Sequence, residues 1–464
     1  MTGGLAGDGT VPQTNPPRHH ANAHYAILFI LDAGDFLRQH STALAQFDLA
    51  KRGSRMRDIR LLILMALTFV ISAHAQTYTE SVLYNFSDGS GDGAYPQAGL
   101  VMDSAGNLYG VSSEFITLDD QGGGALFKID TNGNFSSLHF FGGSPTDGEY
   151  PVASLTIDKS GNLYGTTVNG GAQNIGYGTV FKLTPSGTYS ILHNFGSTAG
   201  DGQNPYGPVT LDSAGNLYGT AEFGGNTTCK CGIVFKLSST GKETILNKFT
   251  GGSKDGGNPV ANVMRDGLGN LYGTTSSGGN GFGVMFKLTS KNVESILYNF
   301  CPDTATCTLG ANPNYIARSS LGNFYGIVQG VQLQDGGDGG GIFEFSNKNV
   351  ESVLYTFCGS CFYGPPMPNG DRPSGALLIS GGNLYGTTQL GGAFSTSSSS
   401  GGGVVYELTP SGVETILYSF PASSTTDGCY PTGGVIADKA GNLYGTTSQC
   451  GLYGYGTVFK LTKN

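Results

Sequence analysis

Gly161-Asn162-Leu163-Tyr164-Gly165-Thr166-Thr167 decides the fold, because its core, Gly-Asn-(Leu/Phe)-Tyr-Gly, is spelled seven times. The tyrosines are Tyr109, Tyr164, Tyr218, Tyr272, Tyr325, Tyr385 and Tyr444, in steps of 55, 54, 54, 53, 60 and 59 residues. A fixed period signals stacked supersecondary units, and units that hold several short strands close into a ring of blades. The expected fold is all-β: a seven-bladed β-propeller with four strands per blade. Around Tyr164, Pro151 to Asp158 reads as strand a and Asn162 to Thr167 as strand b; Gly178 to Leu183 reads as c and Thr188 to Phe195 as d. Asp-x-x-Gly-Asn recurs at Asp103, Asp158, Asp212, Asp266 and Asp438, with Asp suited to open a type I turn and Gly to follow in the left-handed region. Blades five and six read as one residue shorter, Ser320-Leu-Gly-Asn and Ser380-Gly-Gly-Asn, without the Asp.

Leu163 and Tyr164 point to opposite faces of strand b, and a strand apolar on both faces is buried on both. The seven tyrosines are therefore expected between blades. The strand-c lysines, Lys128, Lys182, Lys236, Lys287 and Lys460, give way to Glu344 and Glu407, which reads as long stems reaching the rim. Small pairs such as Ala98-Gly99, Gly207-Pro208 and Gly433-Gly434 put strand a at the crowded axis. The chain then opens with a d-type strand, Glu80 to Phe86, and closes with a c-type strand, Thr457 to Leu461. The N-terminal strand should complete the last blade and latch the ring, leaving no raw edge. Length varies in the d-to-a and b-to-c connections, including Val328 to Gly341 and Phe394 to Gly403, so their side of the disc is the candidate functional face.

Composition agrees: 77 glycines in 464 residues is more than twice the usual share of about 7%. They follow no three-residue period, which excludes collagen. Residues 1–75 stand apart. Arg57 and Arg60, the apolar run Leu61 to Ile71 and then Ala73-His74-Ala75 have the order of a signal peptide over 56–75. Cleavage is expected before Gln76, residues 1–55 are expected to be a mis-assigned start or a disordered extension, and 76–464 form the propeller. The expected location is secreted or periplasmic, as a monomer without a membrane anchor. Residues 76–464 carry 17 Lys and Arg against 28 Asp and Glu, a net charge of −11, which repels phosphate backbones and excludes nucleic acid as a partner.

His139 and His193 share one position in strand d, held elsewhere by Tyr or Asn, so neither a catalytic triad nor a His-ligated zinc site is expected. The eight cysteines fall in loops of the candidate face and read as disulfides: Cys229 with Cys231, Cys301 with Cys307, Cys358 with Cys361, and Cys429 with Cys450. Asp-Gly precedes strand a at Asp92, Asp147, Asp201, Asp255 and Asp427. One reading is an Asx-type turn; the other is a ring of carboxylates round the channel mouth. Asp88-Gly-Ser-Gly-Asp92-Gly93 starts like a calcium loop, but its twelfth position is Gly99 where a Glu is required, so no cofactor is expected.

Gly-Asn-Leu-Tyr-Gly-Thr-Thr, then Gly-Gly, then Gly-Thr-Val-Phe-Lys-Leu-Thr-Pro-Ser-Gly resembles the GloVer (Gloeo/Verruco) tandem repeat of exported bacterial proteins, over Glu80 to Leu461. The resemblance implies no established activity and brings no catalytic residues. Two functional expectations stand. One is a binding or scaffold module for an extracellular glycan, peptide or protein, reading it through Tyr95, Tyr150, Tyr430, Tyr453 and Tyr455 beside the Asp-Gly turns. The other is a lyase or lactonase using Glu149 or Glu222, with a metal at the channel mouth; fold analogy alone motivates it.

Overall fold

Each repeat folds into one antiparallel four-stranded sheet in the computed structural model, giving seven blades. The structure describes residues 77–87, 91–113, 123–172, 176–301, 310–329, 339–348, 350–357, 367–396 and 400–464. The expectations for residues 1–75, for Asp88 and for Cys307, Cys358 and Cys361 lie outside the described residues. In the second blade strands a to d are Thr156–Ile157, Leu163–Thr167, Thr179–Leu183 and Tyr189–Asn194, hydrogen-bonded in that order.

Strand a is innermost because only small residues fit where the blades meet. A Cβ on Gly207 would come within 2.6 Å of the Ala261 carbonyl oxygen in the next blade, and one on Gly433 within 2.6 Å of the Ala98 carbonyl carbon. Strand-b hydroxyls fasten these contacts. Thr166 donates to the Gly207 carbonyl at 3.1 Å, Thr220 to Ala261 at 2.8 Å, Thr387 to Gly433 at 2.9 Å and Thr446 to Ala98 at 2.8 Å.

The latch closes as the strand phase requires. Tyr78–Asn85 pairs antiparallel with Thr457–Lys463, with Val82 opposite Phe459 and, after a bulge, Tyr84 opposite Val458. Each seam between blades is filled by an aromatic pair joining the end of one strand d to the next strand c. Phe86 meets Phe127 at 5.3 Å across the latch, Phe195 meets Phe235 at 5.1 Å, and Phe420 meets Phe459 at 5.1 Å. Edge-to-face rings of this kind are the core, so it is divided among seven seams rather than gathered in one centre.

The seven strand-b tyrosines lie between blades and also solve a polar problem. In five blades the hydroxyl donates to the turn aspartate, as Tyr164 does to Asp158 at 3.1 Å, and the neighbouring Asn162 Nδ2 donates to the same oxygen at 2.7 Å. Burial raises the Asp158 carboxyl, but hydrogen bonds from Asn162, the Ser160 amide and Tyr164 outweigh it and hold the group below its usual range. The strand-c lysine sits over the tyrosine ring, Lys182 lying 5.6 Å from the Tyr164 centroid. Blades five and six lack the aspartate, and there Glu344 and Glu407 accept from the same Asn and Tyr donors. This corrects the reading of that position as a stem reaching the rim: Lys and Glu alternate according to whether the turn supplies a carboxylate. The turn of blade five is also not shortened. Arg318 pairs with Phe324 with the same offset as Ile157 with Leu163, and Ser319 takes the aspartate's place, its Oγ accepting from the Asn323 amide at 3.1 Å. Blade six is one residue shorter, a Gly381-Gly382 turn at φ +59° and +91°.

Candidate functional site

Every d-to-a connection ends in Gly-x-(Tyr/Asn/Arg)-Pro. The residues before proline are Tyr95, Tyr150, Asn204, Asn258, Asn312, Arg372 and Tyr430, and all seven have φ between +50° and +58°. Proline keeps its predecessor out of the right-handed helical region, and a left-handed non-glycine residue needs outside support. The previous blade supplies it. The Tyr150 amide donates to the Gly123 carbonyl at 2.8 Å, Asn204 to Tyr177 at 2.8 Å and Arg372 to Gly339 at 3.1 Å, with equivalent bonds at the other four positions. Gly178, at φ +89°, lets the next blade approach, since a Cβ there would lie 2.8 Å from the Pro205 ring. The result is a rigid ring on the looped face.

The residues that follow these prolines wall the central mouth. Gln97, Val152, Tyr206, Val260, Asn314, Ser374 and Thr432, one per blade, enclose about 460 Å³ together with Glu222, Gln329 and Tyr315. Two adjoining recesses widen it. Tyr95, Tyr150 and Gln389 border one of about 410 Å³, and Asn312, Arg372 and Gln389 border one of about 510 Å³. Burial raises the Glu222 carboxyl above its usual range, and burial followed by the Glu222 charge raises the Tyr206 phenol. Glu149 is held elsewhere, paired with Asn169 in a short ladder of the looped face. Tyr95 packs edge-on against Tyr455 at 5.7 Å, Tyr430 donates to the Ala422 carbonyl at 3.3 Å, and Tyr453 is 55% exposed. Sequence reasoning missed Asn204, Asn258, Asn312 and Arg372; their signal is the pre-proline position shared by all seven repeats.

The Asp-Gly carboxylates stand between adjacent outer strands, not round the mouth. Asp147 Oδ1 accepts from the adjacent Gly148 amide at 2.8 Å, and Asp255 accepts from Gly256 at 2.7 Å and from the Thr250 amide five residues back at 2.8 Å, so these carboxylates tie the connection together without the bond two residues on that an Asx turn makes. Four of the five aspartates also reach strand d: Tyr84 donates to Asp92 at 2.9 Å, Tyr418 donates to Asp427 at 2.6 Å, His139 Nε2 lies 3.0 Å from Asp147, and His193 Nε2 lies 3.4 Å from Asp201. The next blade adds a third group to the seam. Tyr189 donates to Asp147 at 2.9 Å while its ring stacks on His139 at 3.6 Å. In the Asp92 seam that third position is Phe135, whose ring stacks on Tyr84 at 3.9 Å, and in the other blades it is a glutamate. Burial, followed by an aspartate charge for Glu80, Glu243 and Glu294, pushes these three carboxyls up to about 7, and burial does the same to Glu414. Their recurrence early in strand d was the available signal. Between blades two and three the seam holds His193, Asp201 and Glu243, with one ligand atom of each within 4.8 Å of the others.

Cys429 is bonded to Cys450, joining the two arms of a short ladder beside the mouth in blade seven, and Cys229 is bonded to Cys231. Cys301 is also disulfide-bonded.

Fold and site together define an all-β repeat propeller, closed by a strand latch, with a polar mouth at the centre of its looped face. The chain belongs to the Gloeobacter/Verrucomicrobia repeat family, whose model matches residues 67–267, 175–366 and 269–464. No curated protein matches the chain. Among solved structures it is similar to the extracellular domain of a hybrid two-component system from B. thetaiotaomicron, with 13% identity and a TM-score of 0.48 over 82% of this chain and 41% of that one. A gluconolactonase from Xanthomonas campestris is similar at 11% identity and a TM-score of 0.41, over 84% of this chain and 92% of that one. The GH74 enzyme of Niastella koreensis is similar at 15% identity and a TM-score of 0.46, over 74% of this chain and 47% of that one.

Proposed function

We propose that this chain is an exported binding module whose central mouth takes a neutral polyhydroxylated ligand, a glycan before a peptide or protein. Export is supported by the order of residues 56–75 and by the disulfides. The observation that carries the ligand class is the wall itself. Gln97, Asn314, Gln329 and Gln389 each offer donors and an acceptor, matching hydroxyls that both give and accept hydrogen bonds. Tyr150 and Tyr206, 36% and 38% exposed and lining the mouth and its recess, supply aromatic surface for a sugar to pack on. Backbone held left-handed on all sides keeps the wall preorganised, which lowers the ordering cost of binding.

A second reading, a lyase or lactonase acting through Glu222, is favoured by one observation: a carboxyl in the mouth that burial keeps protonated above its usual range, as a general acid requires. A glycan array on the purified chain, followed by calorimetry with the best hit, separates the two. The binding reading expects Tyr206→Ala and Arg372→Ala each to weaken the hit at least tenfold, with no product formed. Unchanged affinity in both variants sinks it, and turnover of a lactone or uronate abolished by Glu222→Gln establishes the second reading instead.

A further inference from the structure

We propose that His193, Asp201 and Glu243 form a binding site for one divalent transition-metal ion of the zinc class, in the seam between the second and third blades. The site lies away from the mouth and does not depend on the ligand proposed above.

Distances argue first. His193 Nε2 is 3.4 Å from Asp201 Oδ2 and 3.7 Å from Glu243 Oε1. These are poor hydrogen bonds, since such contacts favour about 2.7–3.2 Å. They are good edges of a coordination polyhedron, because tetrahedral bonds of about 2.0–2.1 Å to nitrogen and oxygen set ligand atoms roughly 3.3–3.4 Å apart.

Burial and charge argue next. The Asp201 side chain has no exposure, and those of His193 and Glu243 are 12% and 15% exposed. Glu243 Oε1 is buried without a hydrogen-bond partner. Two carboxyl groups, hydrogen-bonded to each other, and an imidazole crowd so dry a place that a cation could bind all three at once, and Lys248 of strand d acts on Glu243 without joining the cluster. Asp201 is already aimed: its oxygens accept from the Gly202 amide at 2.6 Å, the Ser197 amide at 3.1 Å and the Ser197 hydroxyl at 3.3 Å. Such supporting bonds orient metal-binding carboxylates.

The repeat supplies the comparison. One seam earlier the same places hold His139, Asp147 and Tyr189, and direct contacts of 3.0 and 2.9 Å close them. One seam later Asn247 stands where the histidine would be. All three donors coincide in a single seam among the described residues.

Glu243→Tyr copies the earlier seam and is therefore expected to fold. The full chain, its variant and the control His139→Asn are stripped with chelator and titrated with zinc chloride by calorimetry and thermal unfolding. Comparison within one background cancels the histidines of residues 1–75. The expected result is one zinc fewer per chain in Glu243→Tyr and in His193→Asn, loss of the zinc-induced rise in melting temperature in both, and no change in the control. Equal zinc stoichiometry in wild type and Glu243→Tyr, or no rise in melting temperature for wild type at 1 mM zinc (about the weakest affinity worth calling a site), overturns the proposal.

Discussion

Exchanging the two ways of satisfying a strand-b tyrosine tests the logic of the repeat most sharply. Glu344 Oε1 accepts from Asn323 Nδ2 at 2.7 Å and from the Tyr325 hydroxyl at 3.1 Å. Glu344→Lys removes both bonds. A bond to a charged acceptor contributes about 1.5–3 kcal/mol, and a site reached by water sits at the low end, so the single variant should lose about 3 kcal/mol. Ser319→Asp alone adds a second carboxylate beside Glu344 and should cost about 1 kcal/mol by like-charge repulsion. The double variant copies the five-blade arrangement, with the turn carboxylate accepting from Tyr325 and the ammonium over its ring, as Lys128 and Lys182 lie 5.7 and 5.6 Å from theirs. It should return to within about 1 kcal/mol of wild type, a coupling of about 3 kcal/mol in the double-mutant cycle. Urea unfolding at pH 7 followed by tyrosine fluorescence reads this cleanly because the chain has no tryptophan. If the double variant loses as much as the two singles added together, the compensation is not what selects Lys or Glu at this position.

Phe86→Ala removes a ring with no exposure that bridges the latch to Phe127 of the first blade, and should destabilise the whole ring by about 3–4 kcal/mol; a loss under 1 kcal/mol in the same urea assay would show that the latch carries little. Glu80, Glu294 and Glu414 are pushed from an ordinary value of 4.5 to about 7, so between those limits the folded chain holds protons that the unfolded chain has released. Stability from these seams is full below about 4.5 and falls as pH rises through 7, by roughly 1 kcal/mol per group after allowance for solvent screening. The urea midpoint should therefore be higher at pH 5 than at pH 8, with Glu294→Gln and Glu414→Gln flattening the difference; a midpoint that rises with pH contradicts the assignment.

Ring size, blade order, the innermost strand and the latch were all legible in the chain, because each rests on a quantity that repeats: the spacing of Gly-Asn-Leu-Tyr-Gly, the alternation of strand b, the small residues of strand a and the d-type start. Local rules of this kind depend on neighbours within a few residues, and seven copies average out exceptions. The exchange of Asp158-type turns for Glu344 and Glu407 was visible as a pattern but not as a cause, since it takes the register of strands b and c to bring Asn323, Tyr325 and Glu344 to one point.

Tertiary structure alone decided where chemistry concentrates. Asp201 and Glu243 are 42 residues apart, and nothing in their local sequence places them with His193 in one dry seam. That juxtaposition comes from docking one blade's outer strand against the next. The same docking moved the Asp-Gly carboxylates away from the mouth and set Asn204, Asn258, Asn312 and Arg372 in the ring of the looped face, each held left-handed by a carbonyl of the preceding blade. A sequence lists what each repeat carries; the angle between blades determines which side chains meet, because hydrogen bonds and burial depend on distances that only closure of the ring sets.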